Sequence, residues 1–163
     1  MAIGVLTLVD IFQINVQYLK PSQYVDASEN ENVFALTALD NALLKDKSNY
    51  RIIDIRRGVQ TAFNEGAIVA YHHKLVGGYN PAKFSIYQDL LENQWYNFPK
   101  CLPTLNMMNT KYIITGNMAS DTIPNPDALG NAWFVKGIEY KKGPRAVMDH
   151  LSFFNPKDTA VMD

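Results

Sequence analysis

The sequence predicts an α/β fold, with a mostly parallel sheet of about four or five strands flanked by helices. Three observations predict it. Short runs rich in β-branched and aromatic residues recur at 50–55, 68–71, 111–115, 132–135 and 159–162, each bounded by polar or turn-forming residues. Segments with helical spacing separate several of these runs, and strands alternating with helices through short connections favour parallel pairing. Apolar residues make up 47% of the 163 and charged residues 19%, a balance that can bury one sizeable core.

The chain opens with MAIGVLTLVDIF, which is apolar until Asp10. That is about half of the roughly twenty residues a bilayer-spanning helix needs. It lacks a basic leader and a small-residue cleavage site, so it makes a poor signal peptide. Taken alone, it is either a buried first helix or strand, or the end of a transmembrane helix. NVQYLKPSQYVDASENEN follows, polar with spaced aromatics, and reads as an extended connector tethered by Tyr18, Tyr24 and Val25. Thr37 and Asp40 then match the S/T-x-x-D/E pattern of a capped helix start. The helix is predicted from Ala38 to about Lys45, with Leu39, Ala42 and Leu43 turned inward.

Residues 50–55 read as a central strand with both faces covered. Asp54, near its end, stands where open α/β sheets place ligands; the alternative is that it caps a loop or pairs with Arg56 or Arg57. Residues 56–67 show no clear period, and 68–71 are predicted as a second strand. In HHKLVGGY, the pair Gly77-Gly78 permits a positive φ and close approach by another group. Asn80 suits an N-cap and Pro81 the first helical position, so a helix is predicted from Pro81 to about Gln94. Its inward stripe is Phe84, Tyr87 and Leu91, flanked by Leu90 and Trp95. Pro99 and Pro103 bracket a loop, and Leu105 to Asn109 forms a helical turn. Residues 111–115 are a third strand and 116–130 a turn-rich loop. Ala132 to Val135 forms a strand that Ile138 to Tyr140 could continue. Gly143-Pro144 opens a last helix through about Leu151, and Thr159 to Met162 is a final strand.

The chemistry is sparse. A formal net charge of −1 argues against a dedicated nucleic-acid binder, which needs a basic excess to neutralise phosphates. The single cysteine, Cys101, excludes an intrachain disulfide and a cysteine-based zinc site, and it reads as a small buried hydrophobe. His72 and His73, as strand neighbours, would point to opposite faces and could not easily share a metal. His150 has no H-E-x-x-H context. Gly77-Gly78 fits neither phosphate-loop spacing, and no G-x-S-x-G elbow is present. Asp89 and Glu92 read as a solvated helix face. No catalytic residue, metal ligand or cofactor is assigned. The candidate ligand contacts are His73, Lys74, Gly77, Gly78 and Tyr79.

Five blocks, taken in order, add to this reading. They are YRIIDI, AYHHKLVGGYNPAKFSIYQDLLEN, LNMMNTKYIIT, NPDALGNAWFVKGIEY and NPKDTAVMD. Together they resemble the extracytoplasmic region of YfhO-like bacterial membrane proteins, in the form typical of Bacteroidetes, over residues 10–163. Two positions depart from that pattern. His-His follows Tyr71 where an aromatic and a histidine are expected, and Tyr79-Asn80-Pro81 replaces Tyr-His. His73-Lys74 remains the match to the family's His-Lys. The resemblance implies a polytopic protein similar to glycosyltransferases of the C superfamily, which use polyprenyl-phosphate-linked sugars. Their catalytic acidic residues lie in loops between early membrane helices, so none carries over to this chain. It further implies that residues 1–12 are the end of a transmembrane helix. Residues 13–163 then form a single extracytoplasmic α/β domain, truncated at its C-terminal strand. The implied partners are the membrane-embedded part of the same polypeptide and a glycan or lipid-linked sugar. The implied location is the extracytoplasmic side of the cytoplasmic membrane. The alternative is a free-standing periplasmic module with a ligand near the Gly77-Gly78 turn.

Overall fold

The computed structural model describes residues 2–18 and 20–163. The chain divides into two units, Met1–Ala35 and Leu36–Asp163.

The first unit is helical. α1 spans Ala2–Tyr18, a single 3₁₀ turn spans Pro21–Gln23, and α2 spans Ala27–Val33. The expected extended connector is therefore replaced by helix. Asp26 is the physical reason for α2: its carboxylate accepts from the Ser28 amide at 2.9 Å and satisfies one free donor of the first turn. Tyr18, Tyr24 and Val25 are all exposed and tether nothing. No described residue of these helices is buried. Apolar side chains stand out on every side of α1, including Ile3, Leu6, Leu8 and Phe12. Met1, part of the expected membrane-helix end, lies outside the described residues. No single helix among the described residues is long and apolar enough to cross a membrane by itself.

The second unit is a mixed helix–strand structure, as expected for α/β, but its sheets are small. β1 (Arg51–Asp54) pairs in parallel with β2 (Thr110–Ile114), and β2 pairs antiparallel with β3 (Thr122–Pro124). On the other side of β1, Leu75 forms a parallel bridge to Ile52. The Ile52 amide donates to Lys74 O at 2.9 Å, and the Val76 amide donates to Ile52 O at 3.1 Å. β1 is thus central, as predicted, and its alternating side chains serve two cores. Ile53, with Ile113, packs against Ala62 and Phe63 of α4 (Val59–Asn64), Leu91 of α6 (Ser85–Asn93), Trp95, and Leu105 of α7 (Leu102–Met107). Ile52, with Ile114, packs against Leu39 and Leu43 of α3 (Ala38–Leu43), joined by Leu75 and by Val69 of α5 (Ala67–Ala70).

The expected parallel sheet of four or five strands does not form. Residues 68–71 do not extend: Gly66, with φ 124°, turns the chain into the short helix α5. The chain then meets β1 through the isolated bridge at Leu75. Residues 132–135 are irregular too, and the Trp133 indole there donates to Pro156 O at 2.7 Å. β4 (Gly137–Tyr140) instead pairs in parallel with β5 (Thr159–Met162) as a separate two-stranded sheet, with α8 (Pro144–His150) between them in sequence. Gln94 ties α8 to α6: its side-chain amide donates to Met148 O at 2.6 Å and accepts from Ser152 Oγ at 2.8 Å.

Two helix starts test the capping rules. At α3 the predicted box is present: Thr37 Oγ1 accepts from the Asp40 amide at 3.1 Å, and Asp40 Oδ2 accepts from the Thr37 amide at 2.8 Å. α3 ends at Leu43 rather than Lys45. α6 begins later than predicted. Asn80 does use its side chain, accepting from the Ala82 amide at 3.0 Å, but this closes an isolated turn. Phe84 then stays extended as the N-cap, and its ring is 82% exposed rather than on the inward stripe. Tyr87 and Leu91 keep that stripe.

Candidate functional site

The five sequence-predicted contacts separate in space. His73 is buried, and its Nε2 donates to Asp40 Oδ1 at 2.9 Å. Asp40 uses its other oxygen in the Thr37 cap. One carboxylate therefore starts α3 and latches it to the chain entering the sheet at Lys74. Burial alone would raise the Asp40 pKa. The hydrogen bonds from the Thr37 hydroxyl and amide, then the bond and charge of His73, outweigh burial and hold it below the ordinary carboxylate value.

A lowered folded-state pKa means that ionised Asp40 stabilises the fold at neutral pH. That contribution is complete above the free aspartate pKa of about 3.9, and it is lost as pH falls through the lower folded value. Asp40→Asn is expected to cost about 1–2 kcal/mol at pH 7 through the lost cap and latch. It should also flatten the decline in stability between pH 4 and pH 2. Urea unfolding across that range measures both, and an acid limb as steep as the parent's would refute the assignment.

Lys74 is exposed, and its Nζ donates to Asn49 Oδ1 at 2.6 Å. Gly77 is the point of closest backbone approach. A β-carbon there would stand 2.4 Å from Ala62 O and 2.5 Å from Phe63 Cα. Gly78 has φ 147°, and its amide donates to Phe63 O at 3.1 Å. Tyr79 is 79% exposed. His72 and His73 lie in the turn after α5 rather than on a strand, with ring centroids 6.4 Å apart. Among the described residues, no three His, Cys, Asp or Glu side chains converge in a metal-binding group. Cys101 is fully buried as expected, and burial pushes its thiol up to about 11, far from a reactive thiolate at neutral pH.

Gly78 and Tyr79 meet residues distant in sequence around a cleft of about 660 Å³, within the range of roughly 300–1,000 Å³ usual for small-ligand sites. The cleft opens between the carboxyl ends of two neighbouring parallel segments, β1 and the Leu75 stretch. Asp54 and Arg57 stand at the end of β1, Gly78 and Tyr79 follow the Leu75 stretch, and the α4–α5 connection with Glu65 closes the third side. Ligands of open α/β sheets bind at strand carboxyl ends, where loops diverge and leave a crevice. Of the two sequence readings of Asp54, the pairing with Arg56 is present. Asp54 borders the cleft, and Arg56 grips it through Nε at 2.9 Å and Nη2 at 2.6 Å, with Arg56 also reaching Asn117 Oδ1 at 2.8 Å. Neither His73 nor Lys74 lines the cleft.

A second polar cluster is absent from the sequence reading. Asp46 Oδ2 accepts from Lys111 Nζ at 2.5 Å and Tyr112 OH at 2.8 Å, while Lys111 also donates to Ser48 Oγ at 3.0 Å. The Lys111 ammonium first, then Ser48 and Tyr112, hold Asp46 well below the usual carboxylate range. These groups clasp the loop after α3 onto β2 beside Tyr50, an edge-on ring partner of Tyr112. In sequence they lie about 65 residues apart, and no local pattern joins them. No family model, no curated protein and no solved structure matches the chain.

Proposed function

We propose that this chain is a non-catalytic extracytoplasmic domain of a polytopic membrane protein resembling the polyprenyl-phosphate-sugar-dependent glycosyltransferases. Within it, the second unit helps to position an acceptor, a glycan or lipid-linked sugar, beside the membrane-embedded part of the same polypeptide. The observation that carries this reading is α1. A helix apolar on every side, in a unit with no buried helical residue of its own, needs a nonpolar environment supplied by something else. The five-block resemblance supports it as well. So does the employment of His73 and Lys74, the chemically versatile residues of the signature stretch, in hydrogen bonds that hold the fold.

The test is a pair of reporter fusions after Asp163 of the parent protein, in a Gram-negative host. Active alkaline phosphatase and dark green fluorescent protein, both in the membrane fraction, are expected. Fluorescence without phosphatase activity would refute the extracytoplasmic location.

The cleft favours a second reading, a free-standing periplasmic module with its ligand near Gly78. Release of the phosphatase fusion by osmotic shock, instead of retention with the membrane, would select it.

A further inference from the structure

We propose that the cleft beside Gly78 is a binding site for an amphipathic anion: a short aliphatic body ending in a carboxylate or phosphate, with the anionic end held by Arg57. The site does not depend on where the chain resides.

The apolar part of the argument is the lining. Leu75, Val69, Ile68 and Ala70 present aliphatic surface to the cleft. Ile68 is 53% exposed and Ala70 is exposed, although neighbouring Val69 and Leu75 pack onto the core around Ile52. An aliphatic ligand would remove this surface from water without disturbing the core.

The charged part is decided by which rim groups are already spent. Asp54 accepts two bonds from the Arg56 guanidinium and one from the Arg56 amide at 3.1 Å, and Arg56 spends a further donor on Asn117. That pair carries no net charge, and three of the five Arg56 guanidinium N–H donors are engaged in it and with Asn117. Arg57 differs. Its guanidinium is 78% exposed, and its ion pair is with Glu65, at 2.9 Å across the ends of α4. A guanidinium carries five N–H donors in a planar fork, so most of this group's capacity is unused. An exposed pair of this kind is weak, and a two-oxygen anion can replace the Glu65 carboxylate at Arg57 with bidentate geometry. Glu65 accepts only and lies on the rim, so it disfavours a ligand's anion until displaced.

Backbone shape completes the site. Gly78 combines φ 147° with open space where a β-carbon would stand, so its backbone borders the cleft directly. Tyr79, largely exposed, flanks the entrance.

The experiment is calorimetric titration of the full chain with octyl phosphate and with octanoate, both below their micellar concentrations, beside octyl glucoside as the uncharged-head control. One saturable site is expected for at least one of the two anions and none for the glucoside. The stronger of the two anions identifies the head group. Arg57→Glu and Ala70→Trp, both at exposed positions, should each weaken binding by about tenfold or more, while Glu65→Gln should strengthen it. Melting curves verify that each variant folds. Glucoside binding as tight as that of the anions, an Arg57→Glu affinity equal to the parent's, or no saturable anion site would each overturn the proposal. None of these results bears on the reporter-fusion outcome, so the two proposals fail separately.

Discussion

Replacing Gly77 with alanine is expected to cost the Leu36–Asp163 unit about 3 kcal/mol and to lower its thermal midpoint by roughly 10 °C. The added β-carbon would collide with Ala62 O at 2.4 Å and Phe63 Cα at 2.5 Å. These are backbone atoms in the C-terminal half of α4, and α4 is fixed on the core by Ala62 and the fully buried Phe63. A flexible side chain could step aside, but a helix backbone packed on a sheet cannot do so without opening the layer. Gly78→Ala makes the informative comparison. Nothing lies within 4 Å of its added carbon, so it incurs only the conformational penalty of φ 147°, about 1 kcal/mol. His72→Ala should cost least of the three. Thermal and urea unfolding of the three variants would test the order, and equal midpoints for Gly77→Ala and Gly78→Ala would contradict it.

Trp95→Ala is expected to be at least as damaging, at about 3–5 kcal/mol. The side chain is fully buried, stacked on Phe63 at 4.9 Å between ring centroids and edge-on to Tyr87 at 5.5 Å. Its indole N–H donates to Thr104 Oγ1 at 2.9 Å, and Thr104 in turn donates to Cys101 O at 2.8 Å. Truncation removes a large apolar volume and also leaves a buried hydroxyl without its donor. Trp95→Phe helps to separate the two effects, because it keeps most of the volume and loses the polar link. It should recover more than half of the loss. Urea titration of both variants gives the partition, and equal losses for the two would put the whole effect on the hydrogen bond.

These predictions rest on contacts that the sequence showed unevenly. Elements governed by neighbours were legible. The Thr37–Asp40 cap, the β-branched runs of β1 and β2, the Gly143-Pro144 start of α8 and the strand β5 all lie close to where local pattern puts them. Elements decided by distant partners were not. Residues 68–71 have the composition of a strand, but the place beside β1 is taken by Lys74–Val76, and a positive-φ glycine winds the earlier run into helix. Residues 132–135 also read as strand but are irregular, with the Trp133 indole bonded to the distant Pro156. The lining of the candidate cleft was legible only in part. Gly78 and Tyr79 were named from their own stretch, and Asp54 from the strand-end rule. Arg57 and Glu65 reached the cleft only through the course of α4, a segment with no readable period. His73 was named for its chemistry, but Asp40, 33 residues earlier, had already engaged it.

The alternation of Ile52 and Ile53 across β1 limits how this chain can vary in length. One isoleucine belongs to each core, so a single-residue insertion or deletion inside the strand would exchange them and turn both cores out of phase at once. A change of two residues would restore the phase. The loop from Gly116 to Asp121 carries no such parity, nor does the irregular stretch before β4. Insertions in such connections leave both cores in phase, while Arg51–Asp54 tolerates no change of one residue.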